Sequence, residues 1–218
     1  MATAIMNGAV KSGFLNGDEI CVYDTDGIKS ELLKETLGVT VLSSASDVAE
    51  SEFTFTSFPE TPQFALYVGR TLEPVVEDDK IAATLPAEQS ITLANSFCNR
   101  ANLTIGEVVK VDETTYGSTL KNICGLLKFT VPAGITSVKI EGNNSEILSG
   151  VVYIDYNEGQ PEWTAKTGEN EVVVIPRKST SGDVTTYHSG TYYACVLPQT
   201  FEEGITVTGL ADVGLTDQ

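Results

Sequence analysis

The stretch Thr119–Val131 alternates apolar and polar residues with a period of two for most of its length. Its odd-numbered positions place Ile123, Leu127 and Phe129 on one side. Because successive side chains of a β-strand point to opposite faces, this spacing predicts a strand with one fully apolar face. Apolar residues also occur on the other face, which is typical of a strand covered on both sides. We therefore predict the central strand of a β-sandwich, with these three side chains fully buried.

The core face of this strand is expected to meet apolar residues of two later strand patterns. In the first pattern, Val138 and Ile140 alternate with polar residues. The second is Tyr192–Leu197, the longest uninterrupted apolar run of the chain. We expect one of its two tyrosines, together with Val196, to complete the core opposite the central strand.

Most of the remaining chain consists of short strand patterns separated by turn-forming residues. Their spacing is that of hairpins rather than of strand–helix–strand units, so the sequence predicts an all-β fold built of sandwiches. One segment differs, because Ile28, Leu32, Leu33 and Leu37 recur near helical spacing and Gly38 follows them. This pattern predicts one short helix in the N-terminal part of the chain.

The chain of 218 residues is long enough for two domains of ordinary size. The segment Ala94–Asn102 is small and polar, and it separates about five predicted strands from about seven. We predict that it links an N-terminal β-sandwich domain, residues 1–97, to a C-terminal one, residues 98–218.

The charge balance excludes several classes of partner. The chain has 30 acidic and 13 basic residues, which gives a formal net charge of −17. Such a charge repels phosphates and anionic lipid headgroups, so we expect no nucleic acid partner and no acidic membrane surface. A span across a bilayer needs about 20 apolar residues, and no run of the sequence approaches this length, so no transmembrane segment is predicted.

The first residues do not have the composition of a secretion signal. Met1–Gly8 contains neither a basic region nor a long apolar one. We therefore expect either a cytosolic protein or a mature form or fragment that lacks its leader.

Residues for catalysis or metal binding are sparse in the sequence. His188 is the single histidine, and no acidic or cysteine neighbour completes a zinc motif around it. The nucleophile-elbow, phosphate-loop and dinucleotide motifs are absent from the sequence. A cysteine nucleophile would require Cys124 or Cys195 beside His188, and Cys195 lies inside an apolar run. We predict no enzyme activity, no catalytic residues, no metal site and no cofactor.

The four cysteines are Cys21, Cys98, Cys124 and Cys195, and their spacing matches no metal motif. Three of them lie within apolar strand patterns, which predicts buried thiols that act as small hydrophobic side chains. A single disulfide, for example between Cys124 and Cys195, is the alternative.

Aromatic residues of the second half are the candidate ligand contacts. Trp163 and Tyr187 are candidate contacts for a glycan, because aromatic rings stack on sugar rings, and His188 lies beside Tyr187. Tyr192 and Tyr193 belong to the same group of residues. The alternative is that all of these rings are strand residues that pack in the protein.

Four stretches in chain order resemble segments of the fimbrillins, the pilus subunits of the Bacteroidetes type. Gly17–Tyr23 has the pattern Gly-Asp-x-Ile-x-Val-Tyr, and Thr84–Gln89 contains Leu-Pro-x-x-Gln. Asn122–Phe129 and Tyr192–Val207 resemble the second domain of these proteins. Together the four stretches cover the chain from residue 17 to residue 207.

The resemblance implies two transthyretin-like β-sandwich domains in tandem, export as a lipoprotein and assembly into surface fimbriae at the outer membrane. It implies a role in cell adhesion, with no enzyme activity and no cofactor. The lipoprotein signal with its acylated cysteine is missing, so Cys21 is not given that role. The chain also ends soon after Val207, where fimbrillins continue through further strands.

Two functions follow as expectations. The first is a structural or adhesive subunit of fimbriae at the cell surface, whose partners are other subunits in a head-to-tail polymer. We expect it to assemble by strand addition, with Thr3–Val10 or Ile205–Leu215 as the donor segment. The second is a surface glycan-binding module, whose partners are host or bacterial glycans or proteins.

Overall fold

The computed structural model describes the backbone of residues 2–6, 9–13, 20–24, 31–39, 51–67, 74–77 and 80–211. Side chains are described for residues 20–23, 58–67, 74–75 and 80–211. All regular secondary structure in these ranges is β, so the all-β prediction is confirmed for the described part of the chain. The finer prediction of two transthyretin-like sandwiches in tandem stays a prediction.

The strands are mostly short and follow one another closely. The N-terminal ones are β1 Ala2–Met6, β2 Ala9–Gly13, β3 Cys21–Asp24, β4 Glu31–Val39, β5 Ser51–Ser57, β6 Pro62–Tyr67, β7 Val75–Glu77, β8 Lys80–Leu85 and β9 Glu88–Ser90. The next are β10 Thr104–Lys110, β11 Tyr116–Ser118, β12 Lys121–Asn122, β13 Gly125–Val131, β14 Ser137–Gly142 and β15 Gly150–Asn157. The last are β16 Gln160–Ala165, β17 Glu171–Ile175, β18 Lys178–Ser181, β19 Val184–Tyr187, β20 Gly190–Val196 and β21 Ile205–Leu210.

Three larger sheets and four two-stranded ladders arise from these strands. The larger sheets have the orders β11-β10-β6-β3, with β12 also on β10, then β21-β14-β17-β9, and β16-β15-β8-β7. The two-stranded ladders are β1–β2, β4–β5, β13–β20 and β18–β19. Nearly all pairs are antiparallel, and β9 beside β17 is a parallel pair.

Alternation in the sequence becomes alternation of burial in β14. Val138 and Ile140 are buried, whereas the residues between them are half-buried. They lie directly opposite Val174 and Val172 of β17, which are also buried. A period of two in the sequence therefore predicts correctly which face of this strand meets the core.

Strands from the two sides of the predicted domain boundary share sheets. β8 pairs with β15, and β9 pairs with β17, so residues 80–90 complete sheets of the C-terminal half. Buried side chains from both sides, such as Leu66, Leu85 and Val172, belong to one core cluster. The division into residues 1–97 and 98–218 stays a prediction.

Most residues of the predicted linker are buried, whereas Ala94, Asn95 and Arg100 are exposed. Ser96, Phe97 and Cys98 are buried, as are Ala101 and Asn102. Its role as a link between two domains stays a prediction. Small and polar residues are common in linkers, but they also fit where chain segments approach one another closely.

The predicted short helix is wrong for the residues that the structure describes. Residues 31–39 form strand β4, which pairs antiparallel with β5, and residues 28–30 lie outside the described ranges. A short isolated helix is only marginally stable, so pairing with a neighbouring strand readily overrides a weak helical pattern. The ladder contains three register shifts, so its pattern is irregular.

Within the described part of the chain, the stretch Thr119–Val131 does not form a central strand. Among the described strands, β13 pairs with β20 alone. Ile123, just before β13, is buried as predicted, but Leu127 and Phe129 are half-buried, so the prediction that they are fully buried was wrong.

No helix in the described ranges has the length and apolar character needed to cross a membrane.

Candidate interaction site

A two-stranded ribbon carries the candidate site. β13 and β20 form seven antiparallel pairs, from Gly125 opposite Val196 to Val131 opposite Gly190. Phe129 lies opposite Tyr192 as a neighbour in the same ladder, not across the core as expected from the sequence. The two strands nevertheless have very different surroundings.

β20 is enclosed from Tyr192 onward, whereas Gly190 and Thr191 at its start are half-buried. Residues 192–197 are all buried, so both faces of this strand are covered. The edge that faces away from β13 is also satisfied by hydrogen bonds. The backbone N–H of Tyr193 donates to the carbonyl of Ser96 at 3.1 Å, and that of Leu197 donates to the carbonyl of Leu148 at 2.9 Å.

Gln89 closes the middle of that edge with its side chain. The Cys195 N–H donates to Gln89 Oε1 at 2.9 Å, and Gln89 Nε2 donates to the Cys195 carbonyl at 2.6 Å. Gln89 Nε2 also donates to the Pro86 carbonyl at 3.2 Å. A paired strand residue would exchange the same two bonds with Cys195, so the fully buried amide replaces a neighbouring strand. Sequence reasoning missed this role, and the one signal was the Leu-Pro-x-x-Gln segment.

The other edge of the ribbon is open within the described part of the chain. No described strand pairs with the side of β13 that faces away from β20. In an antiparallel pair, every second residue directs its N–H and C=O away from its partner, so these groups of β13 point outward. Leu127 and Phe129 pack against the core but keep part of their surface exposed.

Lys128 lies at the centre of this open edge strand. It is exposed, and it is the one charged residue of β13. Its neighbour on the closed side is Tyr193, with Thr191 and Cys195 on the diagonals, and none of these carries a carboxylate. Within the described residues, Lys128 forms no ion pair or hydrogen bond. From the sequence it is only a polar position of the strand, so its place at an open edge was not foreseen.

The aromatic residues predicted for glycan contact lie in different sheets. Trp163 is half-buried on β16, opposite Ile154, and packs against the core. Tyr187 is half-buried at the end of β19, opposite Lys178 of an otherwise exposed hairpin. Tyr192 and Tyr193 are buried, so they are core residues. The glycan contact of Trp163 and Tyr187 stays a prediction.

An open groove of about 390 Å³ lies between β6, β10 and the turn after β15. The rings of Phe64 and Tyr156 contribute to it, with centroids 6.2 Å apart and planes inclined at 54°. Glu107 and Glu158 add two exposed carboxyl groups to its lining. These residues come from separate segments without a common motif, so the sequence contained no signal for this groove.

The four cysteines are free thiols, and the prediction of burial is confirmed for Cys124 and Cys195 but not for Cys21. Cys98, Cys124 and Cys195 are buried, and Cys21 is half-buried. Burial raises the pKa of Cys124 to about 12, and burial together with the neighbouring Cys124 and Cys98 raises the pKa of Cys195 well above its usual value. Because the thiolate is the reactive form, a raised pKa keeps Cys124 and Cys195 in the less reactive thiol form at neutral pH.

Neither metal chemistry nor a cysteine–histidine pair has a basis in the described residues. No group of three or more His, Cys, Asp and Glu side chains in the described ranges is arranged to hold a metal ion. His188 Nε2 lies 2.9 Å from Ser179 Oγ on the exposed hairpin, whereas Cys195 is fully buried.

The described part of the chain defines a class: a β-fold in which a glutamine side chain closes the buried strand β20, and in which no described strand pairs with the far edge of its neighbour β13. Comparisons with protein-family models, with curated proteins and with solved structures find no match to this chain. Function is therefore inferred from the geometry of this edge and from the sequence resemblance described above.

Proposed function

We propose that this protein is a structural or adhesive subunit of surface fimbriae, which assembles by strand addition between subunits. The observation that supports this proposal is the edge of β13 with which no described strand pairs. Outward N–H and C=O groups hydrogen-bond to an incoming strand, and the partly exposed Leu127 and Phe129 offer it apolar contacts. In this role the protein is extracellular, at fimbriae of the outer membrane, and its partners are other subunits.

The edge of β13 lacks most of the features that prevent strand addition. Proteins protect their edges with short strands, prolines, bulges and charged residues. β13 pairs over seven residues without a register shift and contains no proline, so Lys128 is its one protective feature. By contrast, the edge strand β16 contains Pro161, and β12 is only two residues long.

The two predicted donor segments differ in their present pairing. Residues 205–210 form β21, which is paired with β14 over six residues, so this part of the donor Ile205–Leu215 is already used within the chain. Ala211 follows β21, and residues 212–215 lie outside the described ranges. In the other segment, Thr3–Val10, the described residues belong to the β1–β2 hairpin, which pairs with itself. A two-stranded hairpin is marginally stable alone, so it opens at little cost.

Strand addition is tested with synthetic donor peptides. We expect excess peptide of residues 3–10 or 205–215 to raise the melting temperature of the full chain, because a bound strand stabilises the folded state. Matched peptides with N-methyl groups on alternate residues keep the side chains but cannot pair, and they should have no effect. If neither peptide stabilises the chain, and sedimentation stays monomeric at high concentration, the proposal is contradicted.

A surface glycan-binding module is the second candidate, and the groove beside Tyr156 favours it. Aromatic rings stack on sugar rings, and the carboxyl groups of Glu107 and Glu158 accept hydrogen bonds from hydroxyl groups. Binding on a glycan array that is lost in Tyr156→Ala would assign it to the groove. Loss in Trp163→Ala would assign it to the residue expected from the sequence, with Tyr153→Ala as the control.

A further inference from the structure

We propose that Lys128 selects the incoming strand by charge, so that the occupant of the β13 edge is residues 211–217 of a second copy, with Asp212 opposite Lys128. This inference depends on the proposed strand addition and specifies the partner for that edge. Lys128 supports it by its position, because it is the central residue of β13 and is exposed.

None of the described neighbours of Lys128 within the ribbon carries a carboxylate, which leaves the open side of the strand for one. On the closed side its direct and diagonal neighbours are Tyr193, Thr191 and Cys195, all uncharged. Along its own strand, the residues on the same face are Leu126 and Thr130. An incoming strand is therefore the element that can place a carboxylate directly opposite the ammonium group. Opposite charges across a ladder stabilise pairing, and like charges destabilise it.

The same lysine disfavours the symmetric alternative. If two copies paired through their β13 edges about the strand centre, Lys128 would lie opposite its own equivalent. Like charges directly opposite one another weaken such a pair. The contact is therefore expected to join two different surfaces, and contacts of this kind extend into open polymers.

The charge criterion distinguishes the two donor segments. Thr3–Val10 contains no acidic residue, and Lys11 follows it. In residues 211–217 the apolar residues Ala211, Val213 and Leu215 alternate with Asp212 and other residues.

Pairing Asp212 with Lys128 also aligns the apolar faces. In an antiparallel pair Val213 then lies opposite Leu127, and Ala211 lies opposite Phe129. In a parallel pair the two donor residues exchange these partners, so the match is independent of strand direction. One register therefore satisfies both the charge and the half-buried apolar residues of β13.

The test compares three peptides of residues 209–217 that carry Asp, Asn or Lys at position 212, bound to the full chain and followed by fluorescence anisotropy. We expect the Asp peptide to bind about 3-fold more tightly than the Asn peptide and about 10-fold more tightly than the Lys peptide. The net charge of −17 by itself would give the opposite order, because it attracts the Lys peptide. The sign of the preference therefore isolates the local effect of Lys128, and 1 M salt should reduce it.

Charge reversal supplies the matched control. Lys128→Glu should invert the order of the three peptides, whereas Lys178→Glu, which makes the same change on the exposed β18–β19 hairpin, should leave it unchanged. Equal binding of all three peptides would overturn the charge selection and leave strand addition intact. Preferential binding of the peptide of residues 3–10 would overturn the assigned occupant.

Two further outcomes are decisive. If no peptide from either end of the chain binds, both strand addition and its charge selection are contradicted. If Asp212→Lys in the full chain lowers the melting temperature of a protein that stays monomeric, the occupant is the chain's own segment, and the second copy is excluded.

Discussion

β13 and β20 share one ladder of seven pairs, yet one strand is closed and the other is open. β20 is covered on both faces, and its far edge is hydrogen-bonded to Ser96, Gln89 and Leu148. β13 has half-buried side chains on its apolar face, and no described strand pairs with its far edge. The comparison shows that an edge can be closed by a side-chain amide and loop carbonyls, without another strand. New strand pairing is therefore expected on the β13 side of the ribbon.

The largest effect is expected from the closed strand. Tyr193 is 1% exposed, so Tyr193→Ala should lower the free energy of unfolding by about 4 kcal/mol through lost burial and a cavity. Tyr193→Phe is the matched control. The buried hydroxyl has no hydrogen-bond partner within the described residues, so its removal should cost almost nothing. Urea denaturation measures both variants. A loss below about 1 kcal/mol for the alanine variant would mean that β20 is not the core strand of the ribbon.

The second-largest loss of stability is expected from removal of the Gln89 amide. It distinguishes closure of the β20 edge by this amide from closure by packing alone. Gln89→Ala removes the amide and leaves the N–H and C=O of Cys195 unpaired in the core. We expect a loss of about 3 kcal/mol in unfolding free energy, because each buried unpaired group costs about 1–3 kcal/mol. Gln160→Ala, an exposed position of β16, should change stability by less than about 0.5 kcal/mol. Equal effects of the two substitutions would contradict the edge-closing role of Gln89.

Sequence patterns predicted the faces of strands better than their edges. The alternation around Val138 and Ile140 and the apolar run Tyr192–Leu197 identify core faces that the structure confirms as buried. Apolar residues on both faces of Thr119–Val131 indicated a central strand, and this was wrong for the described part of the chain. Periodicity reports which faces are covered, whereas pairing at an edge depends on segments far away in the chain.

The features that the sequence did not predict are those that depend on contacts between residues far apart in the chain. Gln89 lies 106 residues from Cys195, so no local pattern connects the amide to the edge that it closes. The segment 31–39 shows a helical spacing but pairs with β5, because a ladder with a second segment outweighs a weak local preference. The groove beside Tyr156 and the role of Lys128 likewise depend on which strands become neighbours.

At the open strand β13, we expect a substitution to lower the unfolding free energy less than it does in β20 and to affect assembly more. Phe129 is half-buried, so Phe129→Ala should cost about 2 kcal/mol, roughly half of the loss at a fully buried aromatic residue. The same change should abolish stabilisation by the donor peptides, because it removes an apolar contact for the incoming strand. Val109→Ala, at a position that is 58% exposed, is the control. A variant that still responds fully to the peptides would place the acceptor edge elsewhere.

The smallest effect is a pH dependence of the unfolding free energy. It tests whether the core beside the ribbon keeps the Cys124 thiol uncharged. Burial raises the pKa of Cys124 from 9.0 to about 12, so its thiol stays protonated in the folded state where it ionises in the unfolded chain. The stability that this thiol contributes is fully present below pH 9 and is lost as the pH rises towards 12. Between pH 8 and pH 10 we expect unfolding free energy to fall by about 1.4 kcal/mol on account of Cys124. Urea denaturation of the protein and of Cys124→Ala at the two pH values isolates this share, because the variant lacks it. An identical pH dependence in both proteins would show that the thiol beside β13 ionises as freely in the folded protein as in the unfolded chain, and that the core at this end of the ribbon is open to water.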